Sequence, residues 1–119
     1  MTPQTYSVEI NGQRRVWYVS RLWSLSRELP VTQYPITSFA GLDHDLWFCG
    51  VHAPTVRAVL AHMDRIERAD LTFPILLSAE GFVMDGVHRI CKAHRLGRVT
   101  LPATQFCEDP PPDQIIDLR

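Results

Sequence analysis

The chain has few of the features that assign a protein to a class at first reading. It has no apolar run of membrane-spanning length and no basic-then-apolar leader, so we expect neither a transmembrane helix nor a secretory signal. Its three cysteines form no CxxC pair, and their odd number does not suggest a disulfide framework. These absences predict a soluble protein of a reducing, cytoplasmic compartment with no membrane partner.

An excess of charge of one sign is also lacking. Twelve Lys and Arg residues stand against 13 Asp and Glu, for a formal net charge of −1. A chain with this balance has no net positive charge to attract nucleic acid, so we do not expect direct DNA binding. A local basic patch could still bind DNA. A length of 119 residues suits one domain, and the 45% hydrophobic content can fill one core.

The N-terminal part of the chain predicts a hairpin followed by a short helix. Apolar and polar residues alternate over 6–10, Asn11-Gly12 suits a type I′ turn, and residues 16–19 return as the second strand. Ser20 can cap the helix, and Pro30 ends it.

The longest predicted helix begins at Pro54 and ends near Asp70. It carries one apolar stripe beside a charged face. The stripe consists of Val56, Val59, Leu60, Met63 and Ile66. The other predicted elements are strands at 31–36, 73–78, 82–84 and 99–106, an irregular segment at 37–53 and a helix at 87–96. These elements predict an α+β fold with a small mixed sheet and helices around it.

The segment 84–89 (MDGVHR) carries the chemistry, because a strand gives way there to a helix. The first turn of a helix has N–H groups without partners and partial positive charge, and it binds phosphate readily. Gly86 lets the backbone turn sharply, and His88 and Arg89 fall in the first helical turn. Asp85 could cap the helix or hold a metal or a hydroxyl. The simpler alternative is that Asp85 is only a cap and that His88 and Arg89 are solvated.

Residues 74–97 (PILLSAEGFVMDGVHRICKAHRLG) resemble the core of the ParB/sulfiredoxin superfamily, with an apolar strand, a turn, a second strand ending in Gly, a basic helix and a closing LG. The DGVHR stretch is similar to the GxHR phosphate signature of sulfiredoxins and to the DGHHR signature of ParB-like free serine kinases. The resemblance is specific over 74–106 and looser over 31–73. Overall, the chain looks most like short stand-alone bacterial ParB-like proteins.

The resemblance implies that the chain is divided into three parts. A ParB/sulfiredoxin-like domain would span 31–107, after an N-terminal hairpin and helix at 1–30 and before a proline-rich tail at 108–119, which we expect to be extended and loosely held.

The resemblance also implies a role for each residue of the turn. Gly86 and Val87 would cradle a nucleotide phosphate with their amides, His88 and Arg89 would donate charged hydrogen bonds, and Lys92 would assist. Sulfiredoxins have their catalytic cysteine where Val87 stands, so sulfiredoxin activity is not expected.

ParB-like serine kinases use an acidic residue on a loop before the long helix as the base for the substrate hydroxyl. Asp45 is the nearest match, and Asp43 is the reserve. The kinase pattern has Glu, so an Asp would shorten the reach by one methylene. Asp45, Asp85 and His88 are therefore the catalytic candidates, with ATP, ADP or CTP and Mg²⁺ as the implied cofactors. The alternative is that Asp43 and Asp45 are only surface carboxylates of the loop.

Several functions stay open at this point. The first is nucleotide phosphate binding, with phosphoryl transfer or NTP hydrolysis as the activity it would serve. The second is a non-catalytic module that senses a ligand or holds a protein partner, and the third is a DNA-associated accessory that acts through a partner. The sequence also leaves open whether the chain forms a homodimer.

His44 and His52 flank Cys49, but their spacing matches no zinc signature, and we predict no metal site formed by the protein's own ligands. A complete partition ParB is not expected, because no helix-turn-helix domain follows the core.

Overall fold

A computed structural model describes residues 3–119, so the first two residues of the expected N-terminal extension lie outside the described part. Within the described residues the chain forms three α-helices and two small β-sheets, and this confirms the predicted α+β class. The helices are α1 (Val19–Ser26), α2 (Val56–Arg68) and α3 (Val87–Arg95). The strands are β1 (Thr5–Ile10), β2 (Gln13–Tyr18), β3 (Thr32–Pro35), β4 (Ile75–Leu77), β5 (Val83–Asp85), β6 (Thr100–Gln105) and β7 (Gln114–Asp117). Between residues 3 and 119 no helix is long and apolar enough to cross a membrane.

The central sheet has four strands in the order β3-β6-β4-β5. Strand β4 pairs with β6 in parallel, and the other two pairings are antiparallel, so the sheet is mixed, as the sequence predicts. Successive residues of a strand point to opposite faces, and both faces of β4 are covered. Ile75 packs with Ile90 and Ala93 of α3 on one face, and Leu76 packs with Leu22 of α1 on the other.

The second sheet joins the two ends of the chain. Strands β1 and β2 form the predicted hairpin, and the positive φ angles of Asn11 (54°) and Gly12 (73°) are those that a type I′ turn requires. Strand β7 then pairs with β2, whereas the sequence predicted a loosely held tail. Further bonds hold the tail; among them, the Trp17 indole donates to the Pro110 carbonyl at 2.8 Å and the Tyr18 amide donates to Asp113 at 2.8 Å.

The helix boundaries differ slightly from those predicted. Helix α1 has already begun at Val19, so Ser20 lies inside it and does not cap it, and the helix ends at Ser26, four residues before Pro30. Helix α2 begins at Val56, and the Thr55 hydroxyl caps it by accepting from the Ala58 amide at 3.1 Å.

Candidate functional site

The strand-to-helix turn lies where the sequence predicts it. Strand β5 ends at Asp85, Gly86 has a φ of +118°, and α3 begins at Val87. A Cβ atom on residue 86 would lie 2.4 Å from Cγ2 of Ile75, and L-residues rarely adopt such a φ. Glycine is therefore required at position 86 both by the backbone conformation and by the close approach of β4.

The first turn of α3 opens into a cleft of about 890 Å³. The cleft brings together side chains from α1, α2, α3 and the loop before α2. Its lining residues are Gln4, Trp23, Trp47, Arg65, Ala69, Asp70, Phe73, Met84, Asp85, Gly86, Val87, His88 and Arg89. Five residues predicted from the sequence are among them, namely 85–89. Two predicted residues, Asp45 and Lys92, do not line this cleft.

Asp85 is the hydrogen-bond centre of the cleft wall. One carboxylate oxygen accepts from the Gln4 amide at 2.9 Å, and the other accepts from the Trp23 indole at 2.9 Å and from Arg89 at 3.0 Å. Of the roles that the sequence left open for Asp85, the cap of α3 is excluded, because Gly86 occupies the cap position and the helix has no side-chain cap. Asp85 instead links the N-terminal segment and α1 to the start of α3.

Contacts within the protein hold the Arg89 side chain in place. Its guanidinium pairs with Asp85 and lies over the Trp23 ring, 5.2 Å from the ring centroid. Only 13% of its side chain is exposed. An arginine has five N–H donors, and the bond to Asp85 uses one of its terminal NH₂ groups. The Arg89 side chain is therefore both ordered and able to donate further bonds towards the cleft.

His88 belongs to an aromatic stack that the sequence did not predict. Its Nε2 lies 2.9 Å from Nδ1 of His62 on α2, and the Trp47 ring stacks on both imidazoles, with centroids 4.2 Å from His62 and 5.2 Å from His88. Burial lowers the pKa of His88 below its ordinary value, and the neighbouring His62 and Arg65 add to this effect while Asp85 opposes it. Burial, and then Arg65, lower the pKa of His62 as well. The pair shares one hydrogen bond, so at least one imidazole accepts it as a neutral ring.

The loop before α2 brings Trp47 to the cleft and keeps Asp45 away from it. Both oxygens of the Asp45 carboxylate accept backbone bonds within the loop, from the amides of Phe48 at 2.8 Å and Cys49 at 2.9 Å. Asp45 and Asp43 line a neighbouring cavity of about 480 Å³. Trp47 and Val87 line both cavities, so the two cavities adjoin at these residues.

Lys92 binds the C-terminal end of α2 and does not line the cleft. Its ammonium group donates to the carbonyl oxygens of Glu67 and Ala69, each at 2.8 Å. These carbonyls belong to the C-terminal end of α2, where helical carbonyls have no intrahelical partner. Lys92 therefore fixes the end of α2 against α3.

The carboxylates that line the cleft are Asp70 and Asp85. Asp85 is engaged by three donors, and Asp70 accepts from the hydroxyl and the amide of Thr72, bonds that lower the pKa of Asp70. Over residues 3–119, no group of three or more His, Cys, Asp or Glu side chains is placed to hold a metal ion. This donor set does not fit a Mg²⁺ ion held by the protein alone.

The cleft also contains functional groups that the sequence analysis missed. His62 and Arg65 reach it from α2, and Trp23 reaches it from α1. The three-residue spacing of His62 and Arg65 was visible, but nothing in the sequence indicated which side of each helix faces the turn.

Comparison of the chain with protein-family models, with curated proteins and with solved structures gave no significant match. Its function must therefore be inferred from the geometry of the cleft.

Proposed function

We propose that the cleft binds the phosphate group of a nucleotide or of another phosphorylated small molecule, as the turn of ParB/sulfiredoxin-like proteins does. The observation that carries this proposal is the first turn of α3. The first N–H groups of a helix have no intrahelical partners, and residues 86–89 of this turn line the cleft together with Arg65.

The charges of the cleft favour an anion. The positive end of the α3 dipole and the side chains of Arg65 and Arg89 border the same cleft, and the carboxylate of Asp85 is already paired with Arg89. Arg65 is the less committed cation, because it is exposed on α2 while its side chain lines the cleft. Two guanidinium groups from different helices can therefore contact one phosphate from different directions.

The neighbouring cavity favours an organic phosphate over a free inorganic ion. Most of its lining is apolar or aromatic, with Phe39, Leu42, Leu46, Trp47 and Phe48 among its residues. A ligand whose phosphate contacts the turn would reach this cavity past Val87. Its base or other apolar part would be received there, since ligand pockets combine an apolar lining with a few directed polar groups.

The contacts favour binding over phosphoryl transfer as the main activity. The proposed acid, Asp45, is bound to its own loop and lines the other cavity, and Asp85 is occupied by three donors. The geometry therefore supports a ligand-sensing module. A DNA-associated role is less favoured, because Lys92 is committed to the end of α2 and does not extend a basic surface from Arg89.

A second candidate, phosphoryl transfer or NTP hydrolysis, rests on the histidine pair. His88 lies in the first turn of α3 with a lowered pKa, and its Nε2 contacts His62. A neutral imidazole at the phosphate site could accept a proton from an attacking hydroxyl or water, and His62 could carry that proton away.

The test is a thermal-shift and calorimetric titration with ATP, ADP, CTP and inorganic pyrophosphate, each with and without Mg²⁺. A ligand at 100 times its Kd raises the free energy of unfolding by about 2.7 kcal/mol. Arg65→Ala should weaken binding by about 10- to 100-fold, because a charged hydrogen bond contributes about 1.5–3 kcal/mol. Arg65 has no ion pair among residues 3–119, so the variant should fold normally.

Arg95→Ala is the matched control, because Arg95 is an exposed arginine of α3 that lies outside the cleft lining. It should bind as the wild type does. If none of the four ligands raises the stability of the wild type, or if Arg65→Ala and Arg95→Ala bind equally, the phosphate site is refuted. Release of phosphate from a bound nucleotide, lost in His88→Gln, would favour the second candidate.

A further inference from the structure

Helix α2 exposes its apolar stripe instead of burying it. Val56 is 78% exposed, Leu60 56% and Met63 41%, and none of the 13 residues of α2 is buried. An amphipathic helix of a globular protein normally covers such a stripe with its own core. The outward face of α2, formed by these three residues, is therefore an unpartnered apolar surface.

The inner side of α2 is attached by polar and aromatic contacts. His62 contacts His88, Arg65 lines the cleft, and the C-terminal carbonyls accept from Lys92. These contacts fix the orientation of the helix, so the outward face is held away from the core by the same groups that build the cleft.

The charges along the outward face are arranged with opposite signs at its two ends. A groove on this face is lined by Arg57 near the N-terminal end and by Asp64 and Glu67 near the C-terminal end, with Leu60 between them. Asp64 is already paired with Arg68 of its own helix, whereas Arg57 and Glu67 have no ion pair among residues 3–119. A second α2 laid antiparallel would set each Arg57 towards the Glu67 of the other copy, since these are the unpaired charges of the groove. A parallel arrangement would set like charges opposite each other, which is unfavourable.

We infer that two copies of this chain associate through their α2 helices, packed antiparallel with Leu60 close to the two-fold axis. A two-fold contact uses the same surface twice, so one Arg57 and one Glu67 on a single helix yield two opposite-charge contacts. The apolar residues between them interdigitate at the centre. Arg65 lies on another side of α2, so the cleft stays open in the dimer, and the inference does not depend on the proposed ligand.

One helix pair is a small interface. Standard protein interfaces bury about 800 Å² on each partner, and a pair of 13-residue helices offers less. We therefore expect a dimer with a dissociation constant in the micromolar range, whose population rises with protein concentration.

The experiment is sedimentation equilibrium over a wide concentration range with the full chain. The wild type should show a monomer–dimer equilibrium. Arg57→Glu and Glu67→Arg should each raise the dissociation constant by about tenfold or more, because each places like charges at both ends of the contact. An equimolar mixture of the two variants should regain wild-type dimerisation, because the exchanged charges then meet their opposites. The Glu67 substitution leaves the backbone carbonyl available to Lys92, and circular dichroism checks that both variants are folded.

Arg98→Glu is the matched control, because Arg98 is exposed and lies on no part of α2. It should dimerise as the wild type does. A wild type that stays monomeric at all concentrations overturns the inference and points to a different protein as the partner of this face. An Arg57→Glu variant that dimerises normally, or a variant mixture that stays monomeric, overturns the antiparallel arrangement.

Discussion

Asp85 links three parts of the chain, and its replacement by alanine provides a direct test of how the cleft is held together. The substitution removes the acceptor for the Trp23 indole, the Gln4 amide and the Arg89 guanidinium. Arg89 would then be left as a cation with a side chain only 13% exposed and without its ion-pair partner.

The expected loss follows from the burial of the pair. Removing one partner of a buried ion pair costs about 3–5 kcal/mol, because the remaining charge stays desolvated. The Arg89 side chain borders an open cleft, so water can reach it in part, and we take the lower end, about 3 kcal/mol. A domain of this size is stable by about 5–15 kcal/mol in total. Asp85→Ala should therefore remove a large fraction of the stability and lower Tm by roughly 10 °C.

The measurement is urea denaturation followed by far-ultraviolet circular dichroism at neutral pH. Asp43→Ala is the control, because Asp43 is an exposed carboxylate, and it should change the free energy of unfolding by less than about 0.5 kcal/mol. Trp23→Phe removes only one donor and should cost about 1 kcal/mol. In the double variant with Asp85→Ala, the two losses should not add, because both remove the same hydrogen bond.

A loss below about 1 kcal/mol for Asp85→Ala would refute this reasoning, since that is the size of one ordinary hydrogen bond. Such a result would mean that Arg89 finds other partners at little cost, and that the wall of the cleft is not held by Asp85.

Two further predictions concern the same turn. Gly86→Ala should destabilise the fold by more than about 2 kcal/mol in urea denaturation, because its Cβ would meet Ile75 and its φ of +118° disfavours alanine; Gly97→Ala, where φ is positive but no atom lies within 4 Å, should cost less. The lowered pKa values of His62 and His88 predict that both rings are neutral in the folded protein at neutral pH. In the unfolded chain the two imidazoles are protonated near pH 6.5, whereas in the folded chain they are protonated only at a lower pH. The free energy of unfolding should therefore fall as the pH drops through 6.5, and it should level off below the lowered pKa values. Urea midpoints measured from pH 7.5 to about pH 5 check this, with His94→Gln, an exposed histidine, as the control; an equal pH dependence in His88→Gln and the wild type would contradict it.

The features that the sequence by itself determined are those specified by local backbone chemistry. The hairpin follows from Asn11-Gly12, because these residue types tolerate the positive φ of a type I′ turn. The strand-turn-helix around Gly86 follows in the same way, because only glycine fits that conformation so close to β4. The α+β class follows from the alternation of short apolar strands with helical periodicity. The ParB/sulfiredoxin-like assignment stays a prediction.

Tertiary structure decided which side chains meet at the turn. His62 and Trp23 lie 26 and 62 residues from the positions they contact, and no local pattern specifies such pairings. Asp45 is bound to amides of its own loop, and Lys92 is bound to carbonyls at the end of α2 that lie 23 and 25 residues away, although the sequence analysis assigned both residues to the phosphate site. Helix α2 shows the reason: its periodicity establishes two faces, but only the packing of the whole chain determines which face meets the core. Here the polar and aromatic contacts of the cleft turn the apolar stripe to the outside.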